Sequence, residues 1–319
     1  MCDVLSLYIS MSHILVSGSV AYDTIIHVAE AFEDNILPEK VASLSTGFYS
    51  HHTVKSAGGT AHNIAYNLGL LWHKDHTTML ASVGHDFVLD NELSQYVHYN
   101  HLFVDTDCLT AGAYILTDKN KHQITVFHPG AMHKATEQIV PDSAYGYAII
   151  APNAKDAMFA HAEQAKKLWA QVFFDPGQAM SLFTGEDILA ISRHSDVLIV
   201  NDYEYSLIQK LVDVDLMALF SMIFVTKWAD GVLMLSGDVE LHVHACHDIV
   251  AVDPTGAGDA FRAGLLSGLM HGFEWDDAMR LGNVMGSFVV EREGTLGHVV
   301  SLEQIEGRFE KSYKKGVLL

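Results

Sequence analysis

Short apolar runs bounded by turn residues recur along the 319-residue chain, and amphipathic helical patterns separate several of them. Continuous apolar runs of this kind are typical of parallel strands that are covered on both faces. Apolar residues recur at helical spacing most clearly in 157–169 and 278–290. This alternation of strand and helix predicts a doubly wound α/β fold. The predicted strands are 14–17, 79–83, 148–150, 172–174, 197–200, 223–226 and 232–235.

Two stretches break the alternation. Segments 39–55 and 109–127 interleave β-branched and aromatic residues with polar ones and show little helical periodicity. This pattern predicts antiparallel strands of a small separate sheet. The sequence Asp-Lys-Asn-Lys at 118–121 predicts a turn between two of these strands. We expect segments 36–57 and 108–128 to pack together as a lid over one domain at 13–310, with 1–12 as an N-terminal extension.

Composition limits the classes of function. The chain is 49% hydrophobic, which is ample for a buried core, and it has a net charge of −20. Such an acidic chain is a poor partner for nucleic acid or an anionic membrane. Its three cysteines are too few for a disulfide framework, and the N-terminus is a poor signal peptide. No apolar run is long enough to span a membrane. We therefore expect a cytoplasmic protein with a small-molecule ligand.

The strongest candidate site is the sequence DPTGAGD at 253–259. Gly256, Ala257 and Gly258 can present backbone N–H groups to an anion, and an apolar helical pattern follows them. Asp259 falls in the first turn of that helix, where the helix dipole stabilises a carboxylate. A carboxylate beside an anion hole is the arrangement expected for phosphoryl transfer to a hydroxyl group. The alternative is a plain strand–turn–helix with an aspartate near its cap.

A second glycine-rich site lies in the sequence SAGGTAHN at 56–63. Gly58 and Gly59 allow a ligand to approach the backbone closely, and Asn63 can hydrogen-bond a hydroxyl group. Paired glycines before a helix are common, so helix packing explains this motif equally well.

Together, the two motifs resemble the two signatures of the ribokinase-like (phosphofructokinase B) family of carbohydrate and nucleoside kinases. The resemblance extends from about residue 14 to residue 309. It implies a three-layer α/β/α sheet domain with a small β-sheet lid. Segments 18–23, 201–204 and 226–231 also match family motifs in order, although Trp228 stands where the nucleotide loop usually has its first glycine.

Segments 21–23, 124–132 and 175–178 are similar to the bacterial adenosine and nucleoside kinases. The resemblance implies an ATP-dependent nucleoside kinase that phosphorylates the ribose 5′-hydroxyl, with adenosine as the favoured substrate. The alternatives are a guanosine- or inosine-preferring or broad nucleoside kinase, or a sugar kinase. A non-catalytic nucleoside-binding sensor represents a different class. A Rossmann-type dehydrogenase is disfavoured because no Gly-x-Gly-x-x-Gly follows the first strand, and no Walker P-loop occurs.

The same resemblance assigns a role to each candidate residue. Asp259 is the base that takes the hydroxyl proton. The candidates for substrate binding are Asp23, Gly58, Gly59, Asn63, Tyr22, Phe127 and Gln123. Tyr22 and Phe127 are candidates to stack on a base, although packing within the lid explains them as well. Gln123 stands near the position where many relatives place an arginine that meets the transferred phosphate.

The remaining assignments concern ATP, metal ions and assembly. The candidates for ATP binding are Asn201, Thr226, Lys227, Gly231 and Asn283. Glu204 is expected to bind Mg²⁺ through water, because that ion keeps several waters. Asp253 and Thr255 are candidates for a monovalent-cation site that would take K⁺. An exposed lid sheet also suggests a homodimer formed through that sheet.

Overall fold

Two β-sheets organise the chain. The structure is a computed structural model and describes residues 13–317 and 319. The predicted N-terminal extension at 1–12 lies outside the described residues. The strands are β1 (His13–Ser17), β2 (Ala21–Val28), β3 (Ser50–Gly58), β4 (Thr77–Gly84), β5 (Leu102–Asp105), β6 (Ala111–Thr117), β7 (Gln123–His128), β8 (Tyr145–Ile150), β9 (Gln171–Phe174), β10 (Val197–Asn201), β11 (Met222–Thr226), β12 (Val232–Ser236) and β13 (Val239–Val243).

The α-helices of the described residues are α1 (Phe32–Asn35), α2 (Thr60–Leu70), α3 (Lys155–Lys167), α4 (Gly185–Ile191), α5 (Asp202–Leu211), α6 (Ala257–Met270), α7 (Trp275–Val290) and α8 (Leu302–Tyr313). The helices predicted at 157–169 and 278–290 correspond to α3 and α7. Helix α3 begins and ends two residues earlier than predicted, and α7 begins three residues earlier and ends as predicted. Among the residues that the structure describes, no helix combines the length and the apolar character needed to cross a bilayer.

The larger sheet has nine strands in the order β13-β12-β11-β10-β9-β8-β1-β4-β5. Pairing is parallel from β11 to β5, whereas β12 and β13 are antiparallel additions at one edge. All seven predicted strands lie within strands of this sheet, so these predictions are confirmed. The continuous apolar runs arise because central strands such as β10 are buried on both faces.

Alternating residues of the larger sheet enter two separate apolar cores. Leu198 and Val200 pack with residues of α3, α4 and α5, whereas Val197 and Ile199 pack with residues of α2, α6, α7 and α8. The sheet is therefore covered by helices on both sides, and the predicted α/β/α layering is confirmed.

The smaller sheet has four strands in the order β3-β2-β6-β7. The prediction of a separate small sheet is confirmed, but two of its details are wrong. Within the predicted segment 39–55, residues 39–49 form no strand and begin in a short 3₁₀ turn (Pro38–Ser43), whose first residue supplies no N–H to a ladder. The central strand β2 was not predicted, and it pairs parallel, not antiparallel, with β6. Both faces of β2 are only half-buried, so its sequence shows no clean alternation.

The predicted turn at 118–121 joins β6 to β7. Asp118 Oδ1 accepts hydrogen bonds from the backbone N–H groups of Asn120 and His122, each at 2.8 Å. Lys121 has a φ of 66°, which completes the reversal. The Asp118 side chain thus stabilises the predicted turn by accepting hydrogen bonds from the backbone of that turn.

Helices α6 and α7 approach each other unusually closely through glycines. A Cβ atom on Gly264 would lie 2.7 Å from the carbonyl oxygen of Leu281, and one on Gly282 would lie 2.7 Å from the Phe261 ring. Gly268 has a similar contact with the backbone of Ala278. This contact fixes the position of α6, and with it the position of the loop at its N-terminus.

We expect Gly264→Ala to lower the free energy of unfolding by about 1–3 kcal/mol, because the new methyl group overpacks the contact with α7. The matched control is Gly307→Ala in α8, where a Cβ meets nothing within 4 Å. That change should raise the free energy of unfolding by about 0.5–1 kcal/mol through helix propensity. Urea titration of both variants measures the difference. Equal effects would contradict the role of the glycine contact.

Candidate active site

The loop Gly256–Asp259 is built by the geometry of the α6 N-terminus. Gly256 is the N-cap, and its φ of 81° lies in the left-handed region that favours glycine. Asp259 follows in the first turn of α6. The first N–H groups of a helix have no partner within the helix, so this turn offers donors to an anion, although the N–H of Ala257 already donates to the carbonyl oxygen of Pro254 at 3.2 Å. Gly256, Gly258 and Asp259 all line one cavity of about 250 Å³.

Asp259 lies in a largely desolvated position and contacts the second glycine-rich motif. Asn63 Nδ2 donates a hydrogen bond of 2.7 Å to Asp259 Oδ2. Burial raises the pKa of Asp259 to about 6, against the opposing charge of Arg262 and the hydrogen bond from Asn63. A carboxylate with this pKa is ionised at neutral pH and is still basic enough to accept a proton. The structure thus joins the two motifs at one carboxylate.

Arg262 forms a buried ion pair beside this carboxylate. Its Nη2 donates to Asp175 Oδ1 at 2.8 Å, and its Nε lies 2.5 Å from Asp175 Oδ2. Its Nη1 donates to the carbonyl oxygen of Gly258 at 2.9 Å. Burial raises the pKa of Asp175, and the guanidinium opposes that rise. Arg262, held by Asp175, therefore fixes the Gly256–Asp259 loop through the carbonyl oxygen of Gly258 and places positive charge next to it.

Asn201 and Glu204 begin helix α5 as a capping box. Asn201 Oδ1 accepts from the N–H of Glu204, and Glu204 Oε2 accepts from the N–H of Asn201, both at 2.8 Å. Burial raises the pKa of Glu204, and the nearby charge of Asp175 raises it further. Glu204, Asp175 and Asp259 line the same cavity as Arg262. Three carboxylates and one guanidinium leave a charge of −2 when all are ionised, which suits a divalent cation with oxygen ligands.

A second cavity of about 470 Å³ adjoins the first. The two share Thr226, Trp228, Pro254 and Gly258 in their linings. The lining of the larger cavity is mainly apolar and also includes Gly231, Ala257 and Asn283. Together the cavities can hold a polar, charged group at the α6 N-terminus and a flat apolar group beside α7.

Trp228 explains how the loop 226–231 keeps its shape without its usual first glycine. It has a φ of 52°, in the left-handed region. Its side chain is 67% exposed. Gly231 has a φ of 92°, and a Cβ there would lie 2.1 Å from the carbonyl oxygen of Val243. Lys227 donates its backbone N–H to Gly231 O at 2.7 Å, but it lines neither cavity.

Asp253 and Thr255 stabilise the loop before Gly256. Asp253 Oδ1 accepts from the N–H of Thr255 at 2.9 Å, and Oδ2 accepts from the N–H of Gly294 at 3.1 Å. Both carboxylate oxygens thus hold backbone groups. Asn283 is also held by the backbone, since its Nδ2 donates to the carbonyl oxygen of His244 at 3.0 Å.

Asp23 on β2 faces the same region from the smaller sheet. A Cβ on Gly58 would lie 2.9 Å from Asp23 Oδ2, so a side chain at position 58 would displace this carboxylate. Burial raises the pKa of Asp23. The charge of Asp23 also raises the pKa of Asp259, so the two carboxylates are electrostatically coupled. Gly59, the N-cap of α2, has a φ of 95° and packs against the carbonyl oxygen of Ser19.

The other predicted residues of the smaller sheet are spread over it. Phe127 lies in the same cross-strand row as Asp23, through Ala113. Tyr22 lies in the next row and therefore on the opposite face, where its hydroxyl accepts a hydrogen bond from the N–H of Val88. Gln123 lies four residues from Phe127, roughly 13 Å along β7, and donates to Thr117 Oγ1. The structure brings Asp23, Asn63 and Asp259 together, but it does not bring Gln123 to them.

The sequence pattern of the pfkB family carbohydrate kinases matches residues 11–300. The chain belongs to the pfkB family. It is accordingly a phosphotransferase that acts on a hydroxyl group.

This pfkB-family kinase resembles two nucleoside kinases over nearly its full length. It is 28% identical to the nucleoside kinase of Methanocaldococcus jannaschii over 311 residues, which cover 94% of this chain and 98% of that enzyme. The crystal structure of a Methanocaldococcus jannaschii nucleoside kinase superposes with a TM-score of 0.85 at 27% identity, over 94% of this chain and 99% of the other. The nucleoside kinase of Burkholderia thailandensis in complex with inosine superposes with a TM-score of 0.84 at 29% identity, over 95% and 100%.

Sequence reasoning missed Arg262 and gave Asp175 no role in the site. The available signal was the spacing on α6, since Arg262 lies three residues after Asp259 and four after Gly258, on one helix face. An arginine in an otherwise apolar helix of the pfkB-family kinase needs a buried acidic partner. Its partner, Asp175, is 87 residues away in sequence, and only the fold brings the two together.

We expect Asp259→Asn to stabilise the folded protein at pH 8 by up to about 3 kcal/mol. Because the pKa of Asp259 is raised to about 6 in the folded state, the folded protein binds this proton more tightly than the unfolded chain does. The resulting stabilisation by the protonated carboxyl group is present at low pH and is lost as the pH rises through about 6. The gain on removing it should therefore disappear near pH 4. Urea unfolding at several pH values measures this. Asp213→Asn, at an exposed carboxylate, is the control and should show no such trend.

Proposed function

We propose that this chain is an ATP-dependent nucleoside kinase that phosphorylates the ribose 5′-hydroxyl. The observation that carries the proposal is the position of Asp259, which is bonded to Asn63 and lies at the N-terminus of α6 beside two connected cavities. The nucleoside kinases of Methanocaldococcus jannaschii and Burkholderia thailandensis support it, because this chain matches both along almost their whole length.

In the proposed reaction, Asp259 accepts the proton of the 5′-hydroxyl as the oxygen attacks the γ-phosphorus of ATP. The P–O bond to ADP breaks, and the N–H groups of the Gly256–Gly258 loop hold the charge on the transferred phosphoryl group. Asp23 and Asn63 hold the ribose hydroxyls, with Gly58 and Gly59 allowing close approach. Arg262 holds the loop through the carbonyl group of Gly258 and keeps Asp259 ionised near neutral pH.

The larger cavity is the proposed site of the ATP base, with Asn283, Thr226 and Gly231 in its lining. The smaller cavity takes the phosphates, with Asn201 near the strand end that faces them. Phe127 is the better of the two candidates to stack on the nucleoside base, because it shares a face of the smaller sheet with Asp23. A structure of the Burkholderia thailandensis enzyme is a complex with ADP-inosine and has a TM-score of 0.81.

Two metal ions complete the proposal. Glu204 would hold Mg²⁺ through water, and the net negative charge of the cavity favours that ion. Mg²⁺ neutralises charge on the phosphates of ATP when it is bound. Asp253 and Thr255 remain candidates for K⁺. Because both oxygens of Asp253 already hold backbone N–H groups, a K⁺ ion there would act mainly on the shape of the loop.

Substrate preference is the finer part of the proposal. Adenosine is the substrate favoured by the resemblance. A guanosine- or inosine-preferring or broad nucleoside kinase is the second candidate, because the Burkholderia thailandensis enzyme is in complex with inosine. A cytoplasmic location and a homodimer through the smaller sheet stay predictions.

A screen of ATP consumption over adenosine, inosine, guanosine, cytidine, ribose and fructose tests the proposal, with and without Mg²⁺ and K⁺. We expect turnover on at least one purine nucleoside, dependence on Mg²⁺, and 5′-monophosphate as the product. Asp259→Asn should reduce kcat by about 10²–10⁴-fold, whereas Asp213→Asn should not. Turnover only on ribose or fructose would favour a sugar kinase, and binding of nucleosides without turnover would favour a sensor.

The pH dependence of kcat tests the role of Arg262. We expect activity to fall as the pH drops through about 6, because protonation of Asp259 removes the base. Arg262→Met removes a charge that lowers the pKa of Asp259, so this acid limb should move to higher pH by about one pH unit. Arg262→Lys keeps the charge and should move it less. An unchanged limb in a folded Arg262→Met variant would remove Arg262 from the proposed mechanism.

A further inference from the structure

Three side chains with metal-binding chemistry converge away from the candidate active site. Asp105, Cys108 and His133 each offer one donor atom, and these atoms all lie within 4.8 Å of one another. Asp105 is the last residue of β5, Cys108 precedes β6, and His133 follows β7. They thus lie where the chain enters and leaves the smaller sheet. None of them lines either cavity of the candidate active site.

From this convergence, we propose that Asp105, Cys108 and His133 form a site for a divalent ion of the zinc class, with water as the fourth ligand. Carboxylate, thiolate and imidazole together are a donor set that suits Zn²⁺, whereas Mg²⁺ prefers oxygen alone. Donor atoms around a tetrahedral Zn²⁺ lie about 3–4 Å apart, so only small side-chain rotations separate the present arrangement from a bound one.

His133 is already oriented for this role. Its Nδ1 lies 2.5 Å from the carbonyl oxygen of Gly130. Because a carbonyl group can only accept, Nδ1 carries a proton, and in the neutral ring Nε2 is then the atom with the lone pair. A histidine that donates its second N–H to a backbone carbonyl is the usual arrangement of a metal ligand, since the bond fixes both tautomer and ring orientation. The side chain is exposed, so water can reach the fourth position.

The other two donors are held in place by one another and by the backbone. Asp105 Oδ1 accepts a hydrogen bond of 2.9 Å from the N–H of Asp107. The Cys108 thiol hydrogen-bonds the Asp105 carboxylate, which raises the pKa of the thiol. On binding, the thiol proton leaves to solvent and the metal–sulfur bond forms, so a thiolate and a carboxylate neutralise the dication. The ammonium group of the nearby Lys134 forms an ion pair with Glu137, in which Nζ lies 2.7 Å from Oε1.

Bound metal would connect two parts of the backbone that already touch. The N–H of Ala131 donates to the carbonyl oxygen of Leu109 at 2.8 Å, so the entering and leaving segments lie side by side. A metal held by Cys108 on one segment and His133 on the other would cross-link them. The inference does not depend on the proposed nucleoside kinase activity, because it uses none of the residues assigned to that activity.

Cobalt spectroscopy of the 319-residue protein tests the proposal. Protein freed of metal by a chelator and then dialysed is titrated with Co²⁺ in excess Mg²⁺ and without nucleotide. We expect one equivalent to produce a thiolate-to-cobalt charge-transfer band with tetrahedral ligand-field bands, and Zn²⁺ to displace it. A Cys2→Ser/Cys246→Ser variant, which keeps Cys108 as its sole cysteine, should retain the band. Absence of a thiolate band from the unsubstituted protein would overturn the proposal.

Variants then assign the ligands. Cys108→Ser should abolish the band, and His133→Asn should weaken Zn²⁺ binding by about 10²-fold or more in a competition assay. Zn²⁺ should raise the thermal midpoint of the unsubstituted protein and of Cys246→Ser, but not that of Cys108→Ser. Circular dichroism checks that each variant is folded. If Cys108→Ser binds Zn²⁺ as tightly as Cys246→Ser does, the metal is held by scattered surface histidines and the proposed site is wrong.

Discussion

The close contact between α6 and α7 is the constraint on which the candidate active site depends. Gly264, Gly268 and Gly282 let the two helices approach to a distance that any side chain would prevent. Because α6 is fixed there, its N-terminus reaches the carboxyl ends of the parallel strands, where Asn201 and Thr226 end β10 and β11. The catalytic geometry proposed for the loop before α6 is thus decided more than one helical turn away from it, by residues that touch no ligand.

Electrostatics adds a second constraint, because the chain carries a net charge of −20 and must still hold a phosphorylated ligand. In the smaller cavity, the N-terminus of α6 and the guanidinium of Arg262 are set against the carboxylates of Asp175, Glu204 and Asp259. The ion pair with Asp175 keeps Arg262 in place at the cost of cancelling much of its charge. The balance leaves room for a divalent cation and makes the basicity of Asp259 sensitive to each neighbour.

Sequence patterns predicted seven of the nine strands of the larger sheet, because buried parallel strands and amphipathic helices leave local signals. Strand β2 was not predicted, because both of its faces are half-buried. Its sequence therefore shows neither a continuous apolar run nor a regular alternation of apolar and polar residues. In the candidate site, the glycine motifs pointed to Asn63 and Asp259, whose contact the structure provides. Arg262 was missed because its significance depends on a partner 87 residues away, and such pairings have no local signature. The sequence position of Gln123 did not show that it lies at the end of β7 that is remote from Phe127 and Asp23.

The smaller sheet is joined to the rest of the molecule in a way that limits how it can move. The chain passes between the sheets four times, and the crossings meet in two pairs: the segment after β1 touches Gly59, and the segment before β6 touches Ala131. A third contact lies away from the crossings, because the N–H of Val88 donates a hydrogen bond of 3.0 Å to the Tyr22 hydroxyl group of β2. Displacement of the four strands as a unit, which would move Asp23 and Phe127 relative to Asp259, would therefore strain this third contact as well as the two pairs of crossings.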